Sequence, residues 1–346
     1  MKVLHVLASN RYSGAENVVC QIVNMFRNEA DIEMAYVSPN GEIANALQER
    51  NIKFFALQKL SKKELKKVIK EYQPDVVHAH DMRASFVSAL CVGNIKLISH
   101  IHNNAFDSRK ISLKSIAYLF TGLKAKHIFW VSESSFQGYK FHKFLEKKSS
   151  VLYNVIDVDE LKSRMEKDKN TYDYDVVYVG RLTYQKNPQR LMKVFFKVVE
   201  KQPQAKMAVV GTGELEEETK LLCKELGIEK NVHFLGFQKN PLKIMNDAKV
   251  MLMTSRWEGT PMCALEALTL GVPIVSTPVD GLKDLIKNNV NGYLRDNDDE
   301  IAEKILGIFQ KSNLKECLER EQLKLSINDL NAYKKNLFKR YTEKES

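Results

Sequence analysis

Short apolar runs alternate with amphipathic stretches along the whole chain. The runs have the length of buried strands, and the stretches between them space apolar residues every three or four positions, as a helix with one buried face does. We predict strands at 2–8, 32–37, 53–56, 75–79, 96–101, 127–131, 150–153, 175–179, 206–210, 231–235, 249–253 and 273–276, and helices that include 15–29, 61–72, 189–201, 214–226 and 262–270. This alternation predicts an α/β fold in which helices cover parallel sheets.

The alternation breaks once, near the middle of the chain. Residues 157–169 are mostly charged and residues 170–173 are polar. A length of 346 residues also suits two domains of ordinary size. We therefore predict two α/β domains in series, 1–165 and 166–327.

Three helices of the second predicted domain begin with a polar residue followed by proline. These pairs are Asn187-Pro188, Asn240-Pro241 and Thr260-Pro261. Asn or Thr can cap free helix amides, and proline is well tolerated as the first helical residue. Because each pair follows a predicted strand, the helix amino ends are expected at the carboxyl edge of the sheet, where α/β proteins bind ligands. Three such ends indicate an anion site.

The loop and helix at 256–268 carry the most specific chemistry. Thr260 is predicted to cap the helix, which leaves the amides of Met262 and Cys263 free for a phosphate oxygen. Glu258 precedes the helix and Glu266 lies on its second turn, so that one carboxylate can meet a sugar and the other a ribose. A merely solvated Glu266 is the simpler alternative. Its apolar neighbours argue against it, because an unpartnered buried carboxylate is costly.

Two cations follow the first predicted strand of the second domain. Arg181 offers a planar fork of donors and Lys186 a point charge. Beside a helix start, they could neutralise a diphosphate whose negative charge grows as it leaves a sugar. Isolated surface cations are common, so this interpretation depends on the matching loop with Glu258 and Glu266.

Two glycine turns could also bring the backbone close to a donor. Gly211 and Gly213 follow the predicted strand 206–210, but the Gly-x-Gly-x-x-Gly fingerprint is absent, which disfavours an NAD enzyme. Gly14 lies in a turn between the first strand and the first helix, where main-chain amides could approach a phosphate. Either turn could also be an ordinary tight turn.

Four histidines cluster at the ends of the predicted strands 75–79 and 96–101: His78, His80, His100 and His102. A zinc site is conceivable but lacks the usual ligand spacing, so only His102 is assigned a functional role. Three Asp-x-Asp strings, at 157–159, 173–175 and 296–298, are attributed to chance. No metal is therefore expected.

Composition and cysteine usage narrow the class of protein. With 44% hydrophobic and 28% charged residues, the chain is not expected to be disordered. Its five scattered cysteines form no Cys-x-x-Cys pair, which favours a reducing cytoplasm over a disulfide framework. The apolar run at the amino terminus is too short for a signal peptide, and no run is long enough to span a membrane.

The formal net charge of +10 is distributed unevenly. Residues 1–170 carry +8 and residues 171–346 carry +2. Segment 107–148 holds nine basic and three acidic residues, with aromatic residues among them. These positions could be solvated helix faces with core aromatics. The alternative is a peripheral patch that contacts anionic lipid.

With these motifs in view, the sequence resembles the retaining glycosyltransferases of family 4, also called group 1, over nearly its whole length. The resemblance is most specific in Gly180-Arg181-Leu182, Gln185-Lys186-Asn187 and the Glu258–Glu266 spacing, and extends to His102-Asn103, 153–157 and Gly236-Phe237. Ser13 and Val155 stand where the family often has glycine. The resemblance implies the GT-B fold, with two Rossmann-like domains facing across a cleft and a last helix, about 328–346, that crosses back to the first domain.

The resemblance also implies roles for individual residues. Arg181 and Lys186 would hold the donor diphosphate, Glu266 the ribose and Glu258 the donor sugar, with His102 near the transferred sugar. The positions expected to act in catalysis are then His102, Glu258, Arg181 and Lys186. Those expected to bind the donor are Gly14, Arg181, Lys186, Gly211, Phe237, Glu258, Thr260, Met262, Cys263 and Glu266.

The expected function is retaining transfer of a sugar from a nucleotide-sugar donor, UDP-linked, to a hydroxyl of a cell-envelope or polysaccharide acceptor. No cofactor and no metal are expected. The expected location is the cytoplasm, with peripheral attachment to the inner face of the cell membrane. A GT-B-fold sugar-nucleotide epimerase and a non-catalytic nucleotide-sugar-binding subunit are the alternatives. Nucleic-acid binding is not expected, because no helix-turn-helix, RNA-binding or zinc signature is present.

Overall fold

A computed structural model of the chain describes residues 1–103, 106–310 and 329–343. The chain divides into two compact units, Met1–Asn154 with Asp329–Ser346, and Val155–Asn328. The division precedes residues 158–166, of which the sequence analysis grouped 158–165 with the first domain. These residues form a helix that packs against a helix of the second unit, residues 242–247.

The first unit is built on a seven-stranded parallel sheet with the order β3-β2-β1-β4-β5-β6-β7. Its strands are β1 (Lys2–Val6), β2 (Glu33–Pro39), β3 (Lys53–Leu57), β4 (Val76–His80), β5 (Lys96–Ile101), β6 (His127–Trp130) and β7 (Ser149–Val151). Each lies at a predicted strand, and the central strands are buried along their length, as expected for a sheet covered by helices.

The helices of the first unit are α1 (Gly14–Met25), α2 (Ile43–Glu49), α3 (Lys62–Tyr72), α4 (Asp81–Ala89), α5 (Leu113–Lys124), α6 (Glu133–Gly138), α7 (His142–Leu145) and the C-terminal α15 (Leu330–Thr342). The predicted return of the last helix to the first domain is confirmed. Tyr333, Leu337 and Tyr341 are its buried face, and Tyr341 packs against Phe26 of the helix-end turn after α1. Residues 328 and 344–346 of the predicted helix lie outside the described residues.

The second unit has a six-stranded parallel sheet with the order β10-β9-β8-β11-β12-β13. Its strands are β8 (Val176–Val179), β9 (Met207–Val210), β10 (Val232–Gly236), β11 (Val250–Met253), β12 (Ile274–Ser276) and β13 (Gly292–Leu294). The sequence analysis did not predict β13, because its Gly-Tyr-Leu sequence lies between polar residues and forms no apolar run. The direction of strand addition reverses between β8 and β11, so the ligand crevice of this fold class is expected beyond those strand ends.

The helices of the second unit are α8 (Val158–Glu166), α9 (Pro188–Lys201), α10 (Glu216–Glu225), α11 (Leu242–Asp247), α12 (Met262–Thr269), α13 (Asp280–Leu285) and α14 (Asp298–Phe309). A core of aliphatic and aromatic side chains lies between α9, α14 and the sheet. Helices α9, α11 and α12 begin after β8, β10 and β11 respectively, which confirms the predicted placement of their amino ends.

The predicted capping is wrong in detail. Asn187 adopts a left-handed conformation (φ 55°), and its side-chain oxygen accepts a hydrogen bond from Arg256 at 3.0 Å instead of capping α9. The Asn240 amide donates to the Arg164 carbonyl. Helices α11 and α12 begin one residue later than predicted, because the prolines themselves occupy the cap positions; Pro261 is extended, with ψ 124°.

Candidate functional site

The loops after β8 and β9 pack together through glycine. Gly211 has φ 127°, and a side chain there would place its Cβ 2.1 Å from the Gly180 carbonyl oxygen. A Cβ at Gly213 would lie 2.2 Å from the Leu182 carbonyl oxygen. Close packing of the two loops is therefore enough to require glycine at positions 211 and 213. A role for Gly211 in donor binding stays a prediction.

Lys186 and Glu258 form a nearly buried ion pair beside this edge. Lys186 Nζ lies 2.6 Å from Glu258 Oε1, and the side chains are 13% and 4% exposed. Ser255 Oγ donates to the same carboxylate oxygen at 2.5 Å. Burial lowers the pKa of Lys186, but the charge and the hydrogen bond of Glu258, together with Cys263, outweigh it and leave that pKa above its usual value. Lys186 therefore keeps its charge.

Arg181 is the exposed cation of the site. It follows β8 directly, and no described residue accepts a hydrogen bond from its guanidinium. Arg256, in contrast, is occupied within the chain: its guanidinium lies over the Tyr184 ring at 4.3 Å and donates to Asn187 Oδ1. Arg181 thus keeps the hydrogen-bonding capacity of its guanidinium for a ligand.

Helix α12 presents its amino end next to the ion pair. Ala264 is the first residue of this segment whose backbone amide has an acceptor in the same turn. This amide donates to the Pro261 carbonyl at 3.0 Å. The amides of Met262 and Cys263 precede it at the positively polarised end of the helix. Burial raises the pKa of the Cys263 thiol to about 12, and the charges of Lys186, Glu258 and Glu266 also act on it. Cys263 is therefore a neutral neighbour of all three.

Glu266 is a buried carboxyl group without a hydrogen-bonding partner among the described residues. It lies on the second turn of α12 and is 9% exposed. Burial raises its pKa from 4.5 to about 7, and the charge of Arg164 opposes the shift. The structure therefore contains the buried, unpartnered carboxyl group whose ionisation the sequence analysis described as costly. A pair of donors, such as a ribose diol, would relieve it.

Two residues that hold Glu258 in place were missed by the sequence analysis. Asp280 accepts a hydrogen bond from the Glu258 backbone amide at 3.1 Å, and Ser255 binds the Glu258 carboxylate. Gly281 packs so closely that a Cβ there would lie 1.7 Å from the Gly259 carbonyl oxygen. Ser255 could have been noticed as a hydroxyl three residues before Glu258. Asp280 and Gly281 lie on another loop, which no local pattern connects to this one.

The remaining residues predicted to bind a donor are divided between the units. Thr260 and Met262 are buried at the start of α12, and Phe237 is 62% exposed just after β10. Gly14 belongs to the first unit, where it is the first residue of α1 and has no atom within 4 Å of the position that a Cβ would take. A side chain at this position would therefore meet no neighbouring atom.

His102 follows β5 in the first unit and is bonded to other histidines. Its Nε2 lies 2.8 Å from His80 Nδ1, and its backbone amide donates to Asp81 at 3.0 Å. Burial lowers the pKa of His102 to about 3, so its ring is neutral. Two sets of three histidines, His5/His78/His80 and His80/His100/His102, have ring nitrogens within 4.8 Å of one another. The absence of a metal therefore stays a prediction, since imidazole nitrogens at this spacing could approach one ion.

The basic segment 107–148 is only partly the surface that was predicted. Tyr118 and Tyr139 are buried core residues, so the aromatic residues do not all face solvent. Helix α5 instead buries Ser115, Tyr118, Thr121 and Gly122 and exposes large apolar residues. The exposed apolar side chains are Ile111, Leu113, Ile116, Phe120, Leu123 and Phe144. No helix within 1–103, 106–310 or 329–343 is long and apolar enough to cross a membrane.

Two protein-family models match the chain. "Glycosyltransferase Family 4" matches residues 12–160, and "Glycosyl transferases group 1" matches residues 159–324. Together they match residues 12–324 of the chain.

Curated relatives are glycosyltransferases from bacteria and archaea. An uncharacterized glycosyltransferase of Methanocaldococcus jannaschii is 32% identical over 232 residues, which are 61% of this chain and 57% of the relative. The chain thus spans little more than half of that protein, and 61% of a second relative from the same organism. The UDP-Gal:alpha-D-GlcNAc-diphosphoundecaprenol alpha-1,3-galactosyltransferase of Escherichia coli is 24% identical over 85% of this chain and 84% of its own length.

Solved structures confirm the fold class. HepE of Anabaena, in complex with UDP and glucose, superposes with a TM-score of 0.86 at 18% identity, over 99% of this chain and all of its own. The lipopolysaccharide outer core galactosyltransferase WaaB gives a TM-score of 0.69 at 21% identity and covers 98% of this chain. At these identities the likeness shows the fold alone.

Proposed function

We propose that the chain, which belongs to the family 4, group 1 glycosyltransferases, transfers a sugar from a UDP-linked donor to a hydroxyl of a cell-envelope or polysaccharide acceptor. The transfer retains the anomeric configuration of the sugar. The proposal starts from the two family models, which match the two halves of the chain. The observation that carries the proposal is the buried Lys186–Glu258 pair beside the available Arg181 and the open amino end of α12. HepE in complex with UDP and glucose, and the UDP-Gal enzyme of E. coli, support the choice of donor.

The donor diphosphate is proposed to bind between Arg181, Lys186 and α12. Arg181 can give two parallel hydrogen bonds, and Lys186 retains donors beyond the one used on Glu258. The amides of Met262 and Cys263 add the positive end of the helix. As the sugar–phosphate bond breaks, charge grows on the leaving diphosphate, so these groups stabilise the transition state more than the ground state. We propose that these protein cations neutralise the diphosphate and that no metal is needed.

The two carboxyl groups are proposed to bind the sugars of the donor. Glu266 accepts hydrogen bonds from the ribose hydroxyls, which replaces the missing partner of a buried carboxyl group. Glu258 contacts the transferred sugar through the carboxylate oxygen that Lys186 does not occupy. Retention without an evident covalent nucleophile suggests departure and attack on the same face of the sugar, assisted by the leaving phosphate.

The acceptor is proposed to be lipid-linked and to be met at an anionic membrane surface. Leu113, Ile116, Phe120 and Leu123, the apolar stripe of α5, follow helical spacing on the face opposite the buried one. Exposed lysines at 140, 143 and 147 lie in the segment that contains α7, the helix that packs against α5. An apolar stripe with lysines beside it is the composition of interfacial helices that bind anionic lipid. The E. coli relative, named for a diphosphoundecaprenol acceptor, supports a substrate at such a surface.

A donor panel tests the function. Purified chain is incubated with UDP-glucose, UDP-galactose, UDP-N-acetylglucosamine and GDP-mannose, with and without undecaprenyl-diphosphate-linked sugars, and nucleotide release is measured. We expect release that requires the acceptor, and an α-linked product by NMR. Release with an epimerised sugar and no acceptor would indicate an epimerase, and binding without turnover a non-catalytic subunit. If no nucleotide sugar binds, the proposal is wrong.

A further inference from the structure

Arg256 joins the loop after β11 to the loop after β8 at three points. Its backbone amide donates to the Gln185 carbonyl at 2.8 Å. Its guanidinium donates from Nε to the Tyr184 carbonyl at 3.1 Å and from Nη2 to Asn187 Oδ1 at 3.0 Å. Residues 184, 185 and 187 lie on both sides of Lys186 in the sequence. Arg256 therefore holds the backbone that carries Lys186.

The sheet alone does not determine where the two loops meet. The pairing between β8 and β11 ends at Val177 and Met251. Lys186 and Glu258 lie several residues beyond these strand ends, in the irregular segments that follow. The relative position of the two charged side chains therefore depends on contacts between the loops.

The guanidinium of Arg256 is a contact between the loops that can be removed by itself. The amide of Gln185 and the hydroxyl of Thr254 also bond across the loops, at 3.0 and 3.1 Å. Arg256 adds a planar group that bonds to two residues and lies over the Tyr184 ring at 4.3 Å. Because Arg256 is exposed, its replacement removes these contacts without opening a cavity in the core.

Asn187 connects the Arg256 contact to the direction of the chain. It has φ 55° and ψ 56°, a left-handed conformation that costs free energy for a residue with a Cβ. The bond from Arg256 to its side chain holds Asn187 in the turn that leads from Lys186 into Pro188, the first residue of α9. A fixed Asn187 therefore fixes the direction from which the Lys186 side chain approaches Glu258.

We propose that Arg256 is a positioning residue, which holds the loop of Lys186 against the loop of Glu258 so that the ion pair is formed before a donor binds. It acts through the hydrogen bonds of its guanidinium and not through its charge. Resting on the proposed function, the consequence is that Lys186 meets the donor diphosphate from a fixed position. A cation that is already in place needs no reordering when the donor binds or when charge develops on the leaving group.

UDP titration of four variants tests how Arg256 acts. Arg256→Ala should raise the Kd for UDP about tenfold, because Lys186 is then no longer held in place. Arg256→Lys should raise it as much, because an ammonium keeps the charge but lacks the planar fork. Asn187→Gly retains the left-handed turn and removes the acceptor, so it should also weaken binding. Combined with Arg256→Ala, it should add no further loss, because the two residues act through one contact.

Arg295→Ala is the matched control. The Arg295 guanidinium also donates to an asparagine side chain, Asn288 Oδ1 at 3.0 Å, and lies over a tyrosine ring, that of Tyr293, at 6.0 Å. These partners lie outside the loops of the ion pair, so the Kd for UDP should stay unchanged. Wild-type affinity in Arg256→Lys would show that the charge suffices. That result, additive losses in the combined variant, or an equal loss in Arg295→Ala would overturn the proposal.

A double-mutant cycle tests the positioning without any nucleotide. Lys186→Met and Glu258→Gln, singly and together, are unfolded in urea in the wild-type and in the Arg256→Ala background. The coupling between the two side chains should fall to roughly half or less in the Arg256→Ala background. If a variant of the cycle does not fold, acylation of the Lys186 amine, followed by mass spectrometry, replaces it and should be faster in Arg256→Ala than in Arg295→Ala.

An unchanged coupling or an unchanged acylation rate would overturn the proposal. Both measurements are made without a donor. If the wild-type chain binds no UDP, the transferase proposal fails, while the coupling and the acylation rate still decide whether Arg256 positions Lys186.

Discussion

Lys186 Nζ and Glu258 Oε1 lie 2.6 Å apart although 72 residues separate them in the sequence. The pair joins the loop after β8 to the loop after β11, the two strands between which the sheet order reverses. Each charge depends on the other, because neither side chain is well exposed to water. The same contact therefore stabilises the fold and prepares the site for an anion.

Replacing Glu258 by glutamine tests both roles. The isosteric change keeps the hydrogen bonds but removes the charge opposite buried Lys186, so we expect a loss of about 1–3 kcal/mol in the free energy of unfolding. Transfer should fall by about 100-fold or more, because a group at the reacting sugar is changed. Ser255→Ala is the matched control, since it removes the other hydrogen bond to Oε1 and keeps the ion pair. Transfer above a tenth of wild type in Glu258→Gln would contradict the assignment.

Glu266 makes the stability of the fold depend on pH. Its pKa rises from 4.5 to about 7 on folding, so the folded chain binds the proton more tightly than the unfolded chain does. The free energy of unfolding should consequently fall as the pH rises from about 4.5 to above 7. Glu266→Gln removes this dependence, and at pH 8 we expect it to be more stable than wild type by roughly 3 kcal/mol.

The same substitution should weaken donor binding. Ribose hydroxyls donate to the ionised carboxylate, so the affinity for UDP should increase as the pH rises through about 7 in wild type. In Glu266→Gln the affinity should be about tenfold lower and lose this increase. Urea unfolding and UDP titration at pH 5, 6, 7 and 8 measure both effects. A mutant with wild-type pH dependence would show that Glu266 is not the titrating group.

Much of the fold could be predicted because local patterns determine it. The pattern of buried strands between one-sided helices predicted twelve of the thirteen strands found among the described residues. Strand β13 was not predicted because Gly292-Tyr293-Leu294 lies between Asn291 and Arg295 and forms no apolar run. The prediction that Asn187 and Asn240 cap helices was wrong for a different reason. Their side chains bond to Arg256 and to the Arg164 carbonyl, partners supplied by other loops.

The site was predictable residue by residue but not as a set of contacts. Charge and spacing singled out Arg181, Lys186, Glu258 and Glu266, and the structure places them around neighbouring strand ends and α12. Nothing local reveals that Asp280 holds the Glu258 amide, or that His80 bonds to both His5 and His102. Such contacts depend on strand order, which the sequence pattern does not specify.

Gly281 controls the position of the loop that carries Glu258. Its missing Cβ would lie 1.7 Å from the Gly259 carbonyl oxygen, and backbone on both sides leaves little room to adjust. We expect Gly281→Ala to destabilise the fold by about 1–3 kcal/mol and to lower kcat by displacing Glu258. Gly307→Ala, on α14 with no atom within 4 Å, should instead stabilise by about 0.5–1 kcal/mol. Thermal unfolding and transfer assays of the two variants compare these outcomes, and equal effects would refute the steric argument.

The apolar stripe of α5 predicts selective binding to anionic membranes. Leu113 is 88% exposed and Phe120 is 51% exposed, so replacing both with aspartate removes apolar contact and adds repulsion without disturbing the core. Because burying each side chain contributes about 1–2 kcal/mol, the partition coefficient should drop at least tenfold. Flotation with phosphatidylglycerol vesicles measures it, with phosphatidylcholine vesicles as the neutral reference.

Leu221→Asp is the matched control for this surface. Leu221 is 57% exposed on α10 of the second unit and does not belong to the basic segment, and its replacement should leave flotation unchanged. Wild-type binding should also weaken as salt rises, because part of the attraction is between lysines and lipid phosphate. Equal flotation of wild type with anionic and neutral vesicles would contradict selective binding to anionic membranes. Wild-type flotation of the Leu113→Asp/Phe120→Asp variant would show that the stripe does not bind the membrane. Loss of transfer to a lipid-linked acceptor, with retained transfer to a soluble one, would connect this surface to acceptor access.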